Sequence, residues 1–284
     1  MSALHSPLSS RAVTVGSLVL LSAIIVDAGD WHRALLFSVT DVVQQIPTSL
    51  ALPLVIFFAA SVSSTVGFAF SAIAAAMVFH FVSDHVEAVQ IMMVASIAIQ
   101  AYSVASLYRT ISLRACAPFL FGGIVTIPAG TYLLLNVHPA VYVIMIGIVV
   151  ALYGTYMLFK PTPPVMKGGT LVDIAVGALG GITGPLAAFP GAFLTIWCGI
   201  RGWDKVAQRS IYQPYILILQ VLSLGTLSLA SERAVVTPQL FVYALPGVAG
   251  AWLGLRVFQR LTDVQFNRLV NVALVVSGIA LVLR

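Results

Sequence analysis

Charge is what this sequence has least of. Only 8% of its 284 residues are Asp, Glu, Lys or Arg, whereas 60% are hydrophobic. Soluble domains carry about a quarter charged residues, so this composition predicts an integral membrane protein. Apolar runs longer than about 18 residues recur along the whole chain and leave no room for a separate soluble domain.

Groups that carry enzyme chemistry are also sparse. The two cysteines, Cys116 and Cys198, lie inside apolar runs and fit neither a disulfide framework nor a metal site, so we predict that they only pack. The sequence contains no nucleophile–base pair and no phosphate-binding loop, which argues against an enzyme and against a bound metal or cofactor. The net charge of +5 lies in short loops between apolar runs, where membrane topology explains it better than nucleic-acid binding.

Two apolar segments are too long for a single membrane helix. Residues 170–200 read TLVDIAVGALGGITGPLAAFPGAFLTIWCGI, and one helix of that length would measure about 45 Å against about 30 Å of hydrocarbon. Glycine pairs and a Gly-Pro step at 180–185 break a helix, so we predict two half-helices that meet inside the membrane. Residues 50–81 form a similar segment, interrupted by SVSSTVG. Broken backbone at that depth must be buried in protein or line a polar cavity, which makes both segments candidate binding sites.

The remaining elements follow the same order on both sides of a polar linker. Residues 1–49 are predicted to hold a first span, Ala12–Val26, and an amphipathic surface helix. A signal peptide is the competing interpretation of that span, but no convincing cleavage site follows it. The other domains are a first repeat at 50–159 (a broken hairpin plus three spans), a cytoplasmic linker at 160–169, and a second repeat of the same make-up at 170–284.

A duplication of opposite orientation accounts for this order. Sliding the first half by 124 positions superposes three glycine pairs: Gly123 on Gly247, Gly130 on Gly254 and Gly154 on Gly278. With a cytoplasmic N-terminus and hairpins that enter and leave on one side, 11 of the 14 basic residues face the cytoplasm, as the positive-inside rule requires. Arg209, in the loop before a predicted span at Ser210–Ala230, is one of them. The predicted fold class is an all-α polytopic membrane protein, an inverted-topology duplication with seven full spans and two re-entrant, broken helical hairpins. Secondary transporters share this plan.

Two stretches resemble the signatures of one family. TVGFAFSAIAAAMV at 65–78 and GALGGITGPLAAFPG at 177–191 resemble the first-half and second-half signatures of the sulfite exporter TauE/SafE permeases. The chain departs from the family pattern at Ser71 and Ala72, and it begins with an extra span and a surface helix. The resemblance implies a transporter that moves sulfite, sulfoacetate or a similar anion across the bacterial inner membrane.

The second leg of each hairpin is predicted to begin near Gly67 and near Gly184-Pro185. A helix N-terminus presents unpaired N–H groups and partial positive charge, which suits an anion without any buried arginine. Each hydroxyl or glutamine has a structural alternative, because such side chains also bond the preceding turn or a neighbouring helix. The candidate substrate-binding residues are Ser64, Thr65, Gly67, Ser71, Gln100, Gly181, Thr183, Gly184, Pro185, Tyr212, Gln213 and Gln220.

The spans outside the hairpins have no acid or base in the middle, so the sequence shows no proton relay. An inside-negative potential drives an anion outward with about 2.3 kcal/mol per charge per 100 mV, and potential-driven export is the predicted mechanism. The alternatives are an anion channel, an ion-coupled permease for another small organic anion, and a non-transporting scaffold. Predicted partners are the lipid bilayer and the sulfur oxyanion or sulfonate, with a homodimer left open and no nucleic acid.

Overall fold

The computed structural model describes residues 48–159, 166–231 and 237–282. These residues form helices and short connections, with no β-strand among them. The predicted span Ala12–Val26 and the surface helix of 31–46 lie outside the described residues. The helices of the first half are α1 Thr48–Val66, α2 Phe70–Phe81, α3 His85–Ser106, α4 Leu113–Asn136 and α5 Pro139–Phe159. Those of the second half are α6 Thr170–Ala187, α7 Ala192–Ile200, α8 Lys205–Ala230, a 3₁₀ turn Pro238–Tyr243, α9 Ala244–Arg260 and α10 Asp263–Val282.

Among the described residues, six helical segments are long and apolar enough to cross a membrane, which makes the chain a multi-pass membrane protein. Two apolar helices are shorter, at 50–66 and 144–159. One of the six, Thr170–Ala187, is the first leg of the predicted second hairpin and is by itself of spanning length. The six are His85–Ser106, Leu113–Asn136, Thr170–Ala187, Lys205–Ala230, Pro238–Arg260 and Asp263–Val282.

Both over-long segments are broken, but the second break is not where the glycines predicted it. The first falls between α1 and α2, where Gly67 (φ 93°) and Ala69 (φ 69°) leave the helical region. Helix α6 runs without interruption through Gly184-Pro185 to Ala187, so the predicted break at those residues is wrong. The chain turns instead at Ala188 (φ 51°) and resumes as α7 at Ala192.

The glycines of α6 allow close helix packing, which explains why the break predicted at 180–185 is wrong. A Cβ on Gly177 would collide with the carbonyl oxygen of Phe119, and one on Gly181 would collide with that of Gly123. These glycines therefore let α6 and α4 pack backbone to backbone, as small residues do between membrane helices. Pro185 sits in the last turn of α6, where its missing N–H leaves the carbonyl of Gly181 without a helical donor, and the helix ends two residues later.

The two ends of the second broken segment lie together. The backbone N–H of Met166, before α6, donates to the carbonyl of Ile200 at the end of α7, at 3.3 Å. Trp197 Nε1 of α7 donates to Asp173 Oδ1 of α6 at 2.8 Å, and Arg201 lies 3.6 Å from the same carboxylate. The residues that precede α6 and those that end α7 are therefore held together.

Candidate functional site

The two breaks meet each other. The ring of Phe68, from the first break, stacks on that of Phe189, from the second, with centroids 6.2 Å apart and planes 19° apart. A small cavity lies at this junction, bounded by both breaks and by α3 and α8. Its lining is Phe68, Ala69, Phe70, Ser71, Ser96, Gln100, Ala188, Phe189, Pro190, Gly191, Ile216 and Gln220.

The cavity lies at mid-depth of the spanning helices. Ser96 and Gln100 are in the central turns of the 22-residue helix α3, and Ile216 and Gln220 are in the central turns of the 26-residue helix α8. Since each helix is long enough to cross the hydrocarbon core, residues at its middle stand near the membrane midplane. Two interrupted helices therefore point their breaks at the same central point.

Most of the cavity lining is apolar, with four polar side chains, Ser71, Ser96, Gln100 and Gln220, and no charged one. Ala69 and Gly191, the N-cap residues of α2 and α7, both line it, so the N-termini of both helices adjoin the cavity. The first N–H groups of a helix have no partner within that helix. Gln100 and Gln220 are 3% and 1% exposed, and the Oε1 atom of each has no hydrogen-bond partner. Unpaired buried amide groups beside two helix N-termini leave hydrogen-bonding capacity free for a ligand.

The cavity is nearly closed in this state. Its free volume of about 10 Å³ holds about one water molecule, less than a four-atom oxyanion such as sulfite requires. Ser71, at the start of α2, donates to the carbonyl of Ala188 in the second break at 2.5 Å, and Gln220 Nε2 donates to the same oxygen at 3.2 Å. The Ser71 bond joins the second break to α2, and the Gln220 bond joins it to α8.

Side chains of helix α8 donate hydrogen bonds to the backbone of the first break. Arg209 Nη2 donates to the carbonyls of Ser64 and Thr65, Tyr212 Oη to that of Val66 at 2.7 Å, and Gln213 Nε2 to that of Gly67 at 3.3 Å. These are the carbonyls that a helix leaves unpaired at its C-terminus. We call this set the carbonyl clamp: Arg209, Tyr212 and Gln213 on the four carbonyls of residues 64–67.

A family model for the sulfite exporter TauE/SafE matches residues 52–281. The chain belongs to the TauE/SafE family. The resemblance predicted from the two glycine-rich signatures is thereby confirmed. No curated protein and no solved structure matches the chain. Members of this family are membrane permeases rather than enzymes, and membership suggests a membrane transporter of sulfite or a sulfonate.

The structure sorts the predicted binding residues of this permease into three places. Ser71, Gln100 and Gln220 line the cavity. Ser64, Thr65, Gly67, Tyr212 and Gln213 lie outside that lining, in the carbonyl clamp. Gly181 lies in the α4–α6 contact, Thr183 bonds the carbonyls of Leu179 and Phe189 at 3.1 Å, and Gly184 and Pro185 belong to the last turns of α6.

Three kinds of residue were missed from the sequence. The break residues Phe189, Pro190 and Gly191 line the cavity although the prediction placed the break earlier, and their own signal was the Pro-Gly pair. Ser96 lines the cavity, but nothing in the sequence distinguishes it from the other serines and threonines of the spans. Arg209 was assigned to a cytoplasmic loop because the predicted span began at Ser210, whereas α8 begins at Lys205 and buries Arg209 completely.

Proposed function

We propose that this protein exports a small sulfur-containing anion, sulfite or an organosulfonate, through the cavity between the two breaks. The carrying observation is that two helix N-termini and the unpartnered amide oxygens of Gln100 and Gln220 adjoin one uncharged cavity. Backbone N–H groups and the partial positive charge of a helix N-terminus suit an oxyanion. An anion needs donors. Gln100 supplies one after rotation of its amide, since the O and N ends of a side-chain amide are nearly indistinguishable. Gln220 supplies its Nε2 once the bond to the carbonyl of Ala188 is released.

An uncharged site suits a transporter because the anion must leave as well as bind. A lysine or arginine in direct contact would hold a sulfur oxyanion through charge-assisted hydrogen bonds, which are about twice as strong as neutral ones. The lining offers N–H, amide and hydroxyl donors instead, and the rings of Phe68 and Phe189 close the space. Such a site favours recognition of the anion without trapping it.

Our proposal includes the inverted duplication, with repeats at 50–159 and 170–284. Corresponding glycines make corresponding contacts. A Cβ on Gly130 of α4 would meet Ile182 of α6, and one on Gly254 of α9 would meet Ser61 and Ser64 of α1. Since α4 and α6 would be the counterparts of α9 and α1, each half supplies a glycine-bearing helix to the first hairpin leg of the other. The hydrogen bond between Met166 and Ile200 supports a hairpin that enters and leaves on one side.

We further propose that membrane potential drives export from a cytoplasmic entrance across the bacterial inner membrane, with a cytoplasmic N-terminus. The cavity lining contains no acid, base or histidine that would relay a proton. An anion leaving an inside-negative cell gains about 2.3 kcal/mol per charge per 100 mV. The cavity is too small for the anion in this structure, which favours a transporter that alternates its access over an open anion channel.

Sulfite binding to the purified protein tests this proposal. We expect sulfite, but not chloride at matched ionic strength, to raise the melting temperature in detergent. Gln100→Leu and Gln220→Leu should each weaken binding by about 10- to 100-fold, because a hydrogen bond to a charged group contributes roughly 1.5–3 kcal/mol. Gln90→Leu is the matched control: Gln90 is equally buried in α3 with an unpartnered Nε2 but does not line the cavity.

Flux measurements in liposomes then separate transporter from channel. A transporter gives saturable sulfite efflux that is accelerated by sulfite on the other side, and an inside-negative potential increases it. A conductance that does not saturate would identify a channel. If no sulfur oxyanion or sulfonate stabilises the unmodified protein, and both cavity variants fold normally, the cavity is not the anion site.

A further inference from the structure

A broken helix is by itself a poor anion site. The C-terminus of the first half carries about half a negative charge and the N-terminus of the second about half a positive charge. At the first break only three residues separate the two helix ends, Val66 and Phe70, so their electrostatic fields oppose each other. Something must neutralise the carbonyl end before the N–H end can attract an anion.

The carbonyl clamp neutralises the carbonyl end of α1 with a full positive charge, that of Arg209. Arg209 is completely buried and donates to the carbonyls of Ser64 and Thr65. Its guanidinium lies 3.7 Å from the ring centroid of Phe258, which excludes water from one face and strengthens the electrostatic interaction. Tyr212 and Gln213 add neutral donors to the next two carbonyls.

No acid cancels the charge of Arg209 within the part of the chain that the structure describes. The ion pair found there joins Arg201 to Asp173, and Arg209 Nε and Nη1 have no hydrogen-bond partner. A buried cation without a carboxylate is costly, and an ionisable residue kept inside a membrane protein points to function. The carbonyl end of α1, with only partial negative charge, is the counterpart that the structure supplies.

We propose that Arg209 sets the charge preference of the cavity. By cancelling the negative end of α1 it leaves the N–H end of α2 unopposed, so the site takes an anion in preference to a neutral molecule of the same shape. Arg209 is a positioning residue, since it acts through the carbonyls of α1 and is not part of the cavity lining. This inference rests on the proposed function of the cavity and names what determines its ligand class.

A pair of ligands of equal shape tests the inference. Methanesulfonate and dimethyl sulfone differ by one oxygen in place of a methyl group, so the ratio of their dissociation constants reports charge preference at constant size. We expect the unmodified protein to prefer methanesulfonate and Arg209→Gln to reduce that preference on the order of tenfold. Arg209→Lys, which keeps the charge, should restore most of it.

Lys205→Gln is the matched control. Lys205 is a cation on the same helix and lies 5.1 Å from the same Phe258 ring, but it donates to the carbonyl of Leu261 instead of to α1. Its replacement should leave the ratio unchanged. If Arg209→Gln does not fold, Tyr212→Phe tests the same inference, because freeing the carbonyl of Val66 should reduce the preference by a few-fold.

An unchanged ratio in Arg209→Gln, or in Tyr212→Phe where only that variant folds, would overturn the inference. With unchanged affinities it would mean that Arg209 does not act on the cavity, and with an equal loss of affinity for both ligands it would mean that Arg209 merely supports the fold. If the unmodified protein binds neither ligand nor sulfite, the proposed anion site itself fails, and that outcome is separate from either of these.

Discussion

The two breaks are built alike but held differently. At the first, side chains of α8 pair the four carbonyls of residues 64–67, and one of those side chains is a buried cation. At the second, the carbonyl of Ala188 accepts from Ser71 and Gln220, and that of Phe189 accepts from Thr183 of the same segment. The first break is fastened to a spanning helix by several bonds, whereas the second depends in part on the first.

This difference indicates which part of the site is expected to move. Admitting an anion requires the nearly closed cavity to widen, so at least one break must shift. Moving the first would break the bonds of Arg209, Tyr212 and Gln213 together. Moving the second requires the loss of the Ser71 and Gln220 bonds to one carbonyl, while Thr183 moves with the segment. We therefore expect the second break to move against a fixed first one.

The largest loss of unfolding free energy should come from Gly67→Ala, which disturbs the first break. Gly67 has φ 93°, a region that costs other residues about 1–3 kcal/mol. A Cβ there would also come within 2.6 Å of the Tyr212 ring, and such overpacking costs a further ~1–3 kcal/mol. We expect a loss of about 2–5 kcal/mol in unfolding free energy, measured by thermal or denaturant unfolding in detergent.

Gly225→Ala is the control for that substitution. Gly225 is on α8, where an added Cβ would meet nothing within 4 Å, so the variant should be neutral or up to about 1 kcal/mol more stable. Equal melting temperatures for Gly67→Ala and the unmodified protein would show that the first break is not tightly held, and the comparison between the breaks would fail.

A smaller effect separates the two glycines that were predicted to form the second break. A Cβ on Gly181 would collide with the backbone of Gly123, which predicts a loss of about 1–3 kcal/mol for Gly181→Ala. A Cβ on Gly184 would lie 3.3 Å from Ser223 Oγ and 3.4 Å from Pro190, which is tight but tolerable. We expect Gly184→Ala to cost less than about 1 kcal/mol, since alanine also favours the helix. A larger loss at Gly184 than at Gly181 would support a hinge at Gly184.

The sequence predicted the kind of site better than its atoms. Length and composition were enough to show that residues 50–81 and 170–200 contain broken helices, because one helix of that length does not fit a bilayer. The position of the second break was not predictable from glycine alone. Gly181 has its role in close packing against α4, and only the fold shows which helix lies there.

Arg209 shows a second limit of sequence interpretation. A basic residue at the edge of an apolar run is usually assigned to a loop, since the positive-inside rule accounts for it. Its burial depends on the end of α1, on Phe258 and on Phe266, which are remote in the sequence and meet only in the folded chain. Gln100 and Gln220 were predictable because they interrupt otherwise apolar spans, and both line the cavity.

A further small effect should come from Ser71→Ala, which removes a single bond between the two breaks. Its loss should cost about 1 kcal/mol, because Gln220 still donates to the carbonyl of Ala188. If the second break is the movable one, amide hydrogen exchange should speed up at Ala188, Phe189 and Gly191 but not at residues 67–70. Ser63→Ala is the control, since the Ser63 hydroxyl donates within its own helix to Ala60 and should change neither region. Faster exchange at 67–70 alone would reverse the assignment, because the first break would then be the one that Ser71 restrains.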